Sequence, residues 1–114
     1  MMEKSKLIAK IENGKQVGVR KIIQIDGVMY SYDYAIQKID GKYIVYIAEF
    51  NLDTYYMDEF GDAETFFMYD SLEDFLANFD HRHGVELEDF NVSKGQKFFN
   101  PDIVKHRPDL IRHK

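Results

Sequence analysis

Lys42-Tyr43-Ile44-Val45-Tyr46-Ile47-Ala48-Glu49-Phe50 is almost wholly β-branched, aromatic or aliphatic, the composition of a strand buried on both faces. Such a strand needs a neighbour on each edge and cover above and below. Upstream, Tyr30, Tyr32, Tyr34 and Ile36 alternate with Ser31, Asp33 and Gln37, which predicts a strand over residues 28–38. Val17, Val19, Ile23 and Ile25 alternate with Gly18, Arg20, Gln24 and Asp26, a half-buried strand before it. Leu7, Ala9 and Ile11 repeat at period two within residues 6–12, predicting another. Asn13-Gly14, Asp26-Gly27 and Asp40-Gly41 separate these runs, and both residues of each pair tolerate the positive φ of a type I′ turn. The expected fold class is therefore α+β, built on an antiparallel β-meander of four to five strands, with residues 64–69 as the fifth.

The period changes at Asp70-Ser71. Leu72, Phe75, Leu76 and Phe79 fall at i, i+3, i+4 and i+7, the apolar stripe of a helix expected over 71–83 and packed on one sheet face. Ser71 and Asp74 suit a capping box. His81, Arg82 and His83 would fill the last turn and Gly84 would end it. Residues 85–90 fit a short edge strand or a loop. Asn100-Pro101-Asp102 opens a short C-terminal helix that Pro108 closes, and the last six residues are expected to fray.

With 114 residues the chain is expected to form a single domain, residues 1–114. It has no cysteine, which removes thiol chemistry and disulfides and fits a reducing cytoplasm. No signal-peptide core and no membrane-spanning apolar run are present, so a cytoplasmic protein without membrane attachment is expected.

The net charge of −5 is unevenly spread. Residues 1–48 carry eight Lys/Arg and five Asp/Glu; residues 49–92 carry thirteen acids and the single base Arg82; residues 93–114 carry six bases and two acids. The middle segment is thus near −12 between two basic flanks. It also holds Tyr55, Tyr56, Asp58, Glu59, Phe60 and Asp62 in an aperiodic stretch that core packing does not claim. Carboxylates steer a basic partner and aromatics anchor it, so these six are the candidate partner-binding residues.

Catalytic signatures are missing. Ser5, Ser31, Ser71 and Ser93 lie in no nucleophile motif, there is no glycine-rich phosphate loop, and no carboxylate pair stands out. His81 and His83 on one helix would point about 200° apart, which argues against a shared metal ion. The acids of 53–62 lack EF-hand spacing. No cofactor and no metal are expected. Direct nucleic-acid binding is disfavoured, because the aromatic-rich half is the negative one.

Length, a strand meander followed by a helix, and an acidic aromatic segment without catalytic residues together resemble the small acidic α+β immunity proteins with which bacteria neutralise toxins, many of them nucleases. The resemblance implies a non-enzymatic inhibitor that occludes a basic active-site cleft, its carboxylates standing where substrate phosphates would lie. Phage-encoded mimics of nucleic acid share the same look. The alternative from a different class is a ligand-binding or enzymatic domain whose pocket, between helix and sheet, is lined by Tyr30, Tyr32, Tyr34 and Tyr46. A homo-oligomer formed through an exposed sheet face is a third option.

Overall fold

A computed structural model describes residues 3–53, 64–92 and 97–113. Helix α1 (Lys4–Glu12) precedes three long strands, β1 (Val17–Ile25), β2 (Val28–Ile39) and β3 (Lys42–Asn51). Strand β4 (Glu64–Tyr69), helix α2 (Leu72–Ala77), strand β5 (Asn91–Val92), helix α3 (Ile103–His106) and strand β6 (Ile111–His113) follow. The strands form one sheet in the order β5-β1-β2-β3-β4-β6, antiparallel except for the β4–β6 pair. The α+β expectation is met in outline, with six strands in place of four to five.

Two of the three X-Gly pairs make the expected turns. Asp26 and Gly27 have φ of 50° and 80°, and Asp40 and Gly41 have 52° and 78°, as a two-residue I′ loop requires. Asn13-Gly14 instead ends a helix, so residues 6–12 are not a strand. Gly14 has φ 82°, its N–H bonds the Ile11 carbonyl, and the Lys15 N–H reaches the Lys10 carbonyl, which is a Schellman C-cap. The reason is spacing. Leu7 and Ile11 are four apart, so a helix buries both while leaving Ala9 in solvent.

Face A of the sheet carries Tyr32, Tyr34, Ile36, Tyr43 and Val45, and packs against Leu7 and Ile11 of α1, Phe75 of α2, and Val85 and Phe90. Face B carries Ala35, Ile44, Tyr46, Ala48, Phe66 and Ile111, covered by Phe98, Phe99, Ile103 and Val104. The expected one-sided helix cover is therefore incomplete: the C-terminal segment buries the second face. Residues 111–113, expected to fray, are held by parallel pairing of Ile111 with Phe66.

Helix α2 is shorter than the expected 71–83. Ser71 caps it, its hydroxyl accepting the Asp74 N–H at 3.1 Å. Asn78 ends it by bonding the Asp74 carbonyl through both its backbone and its side-chain amide. Phe79 then turns inward to stack on Tyr34 at 5.1 Å between ring centroids, so the apolar stripe is used although the helix has stopped. His81, Arg82 and His83 fall outside the helix, and His83 has φ 60° in the short 3-10 turn Arg82–Gly84.

Candidate functional site

The six expected partner contacts, Tyr55, Tyr56, Asp58, Glu59, Phe60 and Asp62, lie outside the described residues. Their described flanks are Leu52 and Asp53 on one side and Glu64 on the other. The sheet end next to Leu52 is exposed. Alternation along paired strands puts Ile22, Met29 and Leu52 on face B, beyond the part that the C-terminal segment covers. They are 52%, 37% and 39% exposed, an apolar patch at the head of the acidic segment. Strand parity could have revealed Met29 in the sequence. The neighbour relation to Leu52 needed the β2–β3 register.

Several acids of the segment meet basic side chains or imidazoles locally. Glu49 accepts from Arg82 at 3.3 Å and lies 3.1 Å from His83 Nε2. Asp80 pairs with Arg82, Glu86 with His81, and Asp70 with Lys42 at 2.8 Å. The Lys42 hydrogen bond holds the Asp70 carboxyl below the usual range, and that of Glu49 raises Arg82. Asp89 accepts the Glu86 N–H as a cap. Among the described residues Asp53, Glu73, Asp74 and Glu88 have no ion pair. Arg82 and Lys42 thus take up part of the segregated charge, and those four acids carry theirs unpaired among the described residues.

The four tyrosines do not line one pocket. Tyr30, Tyr32 and Tyr34 share face A, whereas Tyr46 is on face B. Tyr32 and Tyr34 are in the core rather than at a solvated rim. Burial pushes the Tyr32 hydroxyl up to about 12, and raises Tyr34 further although the Asp80 N–H reaches its oxygen. Tyr46 is raised by burial and by its 2.7 Å hydrogen bond to Glu64. The Tyr32 hydroxyl has no hydrogen-bond partner among the described residues, in a surround of Glu49, Asp80 and Arg82.

Face B also has two shallow recesses that share Glu64, Phe66 and Leu110. The first, of about 380 Å³, is completed by Thr65, Arg107, Asp109 and Arg112. The second, of about 430 Å³, is walled by Phe98, Phe99, Ile103, Asn100 and His106. Arg107 is already neutralised by a two-point contact with Asp109 at 3.1 and 3.0 Å. Deeper in the same face, Arg20 grips Asp33 with two hydrogen bonds of 2.8 and 3.0 Å and lies over the Phe98 ring at 5.8 Å.

Among the described residues no group of three His, Cys, Asp or Glu is placed to hold a metal ion, and no helix is long and apolar enough to cross a membrane. No family model matches the chain, and no curated protein or solved structure shows significant similarity to it.

Proposed function

We propose that the protein is a non-enzymatic binding protein of the immunity or inhibitor type, which engages a basic protein such as a toxin nuclease through residues 49–92. The observation that carries this reading is the meeting of two features at one place. Leu52, exposed together with Met29, stands in sequence near the start of the segment with thirteen acids and one base. Apolar anchors followed in the chain by carboxylates suit a cationic partner: the charges speed encounter and the anchors supply affinity. Tyr55, Tyr56, Asp58, Glu59, Phe60 and Asp62 are the proposed contacts.

The test is capture of partners from cell lysate at low salt on the tagged full chain, beside a D58K/E59K double variant and Leu52→Asp. A basic protein eluted by intermediate salt from the parent, and lost from both variants, supports the reading. Equal retention by the charge-reversed variant, or no basic protein at all, overturns it.

The shared wall of the two recesses favours a second reading. Glu64, held by Tyr46 beside Phe66 and Phe99, presents a carboxylate in an aromatic setting, suited to a small amphipathic amine. A thermal-shift series with such amines should stabilise the parent and not Glu64→Gln. Identical responses in the two proteins would remove this reading.

A further inference from the structure

Strand β1 is nine residues long, yet β5 pairs only with Val17 and Gly18. From Val19 to Ile25 no described strand lies on its outer side. The direction of the backbone groups follows from the hairpin. A two-residue I′ loop makes its flanking residues, Ile25 and Val28, a hydrogen-bonded pair. Alternation then points the N–H and C=O of Ile23, Lys21 and Val19 at β2, and those of Gln24, Ile22 and Arg20 outward. Gly18, next in the outward series, is where β5 sits opposite with Asn91.

Soluble proteins blunt such an edge with charge, proline, a bulge or cover. Arg20 and Lys21 do so at one end, whereas Ile22-Ile23-Gln24-Ile25 has no charge, no proline and no bulge, and no described strand covers it. Ile22 is 52% exposed on face B and Ile25 is 43% exposed on face A, so this edge, unpaired among the described strands, is apolar on both sides.

We propose that this edge pairs antiparallel with the same edge of a second copy of the chain, joining two six-stranded sheets into one across a two-fold axis. The occupant follows from self-complementarity. Centred on Ile22, the pairing sets Ile22 against its own mate, Arg20 against Gln24, Lys21 against Ile23 and Val19 against Ile25. Centred on Ile23, it sets Ile22 against Gln24, Lys21 against Ile25 and Arg20 against Asp26. Neither register opposes like charges, both keep the outward N–H and C=O groups in hydrogen-bonded pairs, and both cover Ile22 and Ile25. The proposal does not depend on the acidic segment.

Sedimentation equilibrium of the full chain over a concentration series tests it. The mass should rise from 13.5 kDa to twice that value. Ile22→Pro and Gln24→Pro each remove an outward N–H that β2 does not use, and should abolish the rise while the far-UV circular dichroism is kept. Ile22→Lys, which retains the N–H and brings like charges near the axis, should do the same and guards against proline-induced unfolding. A chain that stays at 13.5 kDa at every concentration overturns the proposal, and so does a dimer that persists in all three variants.

Discussion

The side chain of Gln16 and the backbone of Phe99, 83 residues apart, exchange two hydrogen bonds, Nε2 to the Phe99 carbonyl at 3.0 Å and the Phe99 N–H to Oε1 at 3.4 Å. The primary amide of Gln16 thereby acts as a surrogate strand residue. It also accepts the Phe98 N–H at 2.7 Å and donates to Gln37, whose own amide donates to the Gly14 carbonyl. Gln16 is 4% exposed, so without it the Phe99 N–H and carbonyl would lose a buried partner, and the Phe98 N–H and the Gln37 side-chain oxygen a half-buried one. Gln16→Ala should therefore cost about 2–3 kcal/mol, as buried groups left unpaired do. Urea unfolding measures this. A loss within error of zero would mean that the C-terminal segment is held by its apolar contacts alone.

The Arg20–Asp33 pair predicts an asymmetry. Asp33 is 2% exposed, whereas the Arg20 side chain is 62% exposed. Removing the arginine strands a buried carboxylate, so Arg20→Met should cost about 3 kcal/mol or more. Asp33→Asn leaves the guanidinium free to be hydrated and should cost about 1–2 kcal/mol. Equal losses in chemical denaturation would contradict the burial difference.

Tyr32 holds a buried hydroxyl without a partner among the described residues, so Tyr32→Phe should stabilise the protein by about 1 kcal/mol. The same residue sets an alkaline limit. Its folded pKa, about 12, is above its ordinary 10.0, so its contribution is complete below pH 10.0 and is lost as pH rises through about 12. Tyr34 and Tyr46 are raised in the same direction. Stability should fall steeply across that window, less so in Tyr32→Phe, as followed by denaturant midpoints against pH. Parallel curves for the two proteins would refute the role of Tyr32.

Gly18 is required by space rather than by φ. A Cβ there would lie 2.8 Å from each of Ala35 Cβ, Phe98 Cε2 and the Tyr34 carbonyl oxygen. Gly18→Ala should cost about 1–3 kcal/mol through overpacking, because the Tyr34 carbonyl and Ala35 Cβ can yield only with the β2 backbone and the Phe98 ring must shift as well. A drop in thermal midpoint with greater protease access near Phe98 is the expected outcome, and an unchanged midpoint would contradict the contact geometry.

By itself, the sequence determined what depends on neighbours a few residues away. Asp26-Gly27 and Asp40-Gly41 take positive φ at little cost, and period-two alternation fixes which residues of β2 and β3 share a face. The Ser71 cap is equally local. Tertiary structure decided the rest. Leu7 and Ile11 suit a strand or a helix, and only the core at face A, which accepts both at once, selects the helix and turns Asn13-Gly14 into its cap. Three residues at Ile111–His113 are too few to declare a strand, and the register with Phe66 makes them one. The local Asp40-Gly41 turn, by pairing Ile39 with Lys42, already sets Tyr46 on the face opposite Tyr32, whereas its bond to Glu64 depends on the β3–β4 register, which no local signal encodes. Local dihedral preferences are written residue by residue, whereas the choice between faces, edges and partners is made by burial summed over the whole sheet.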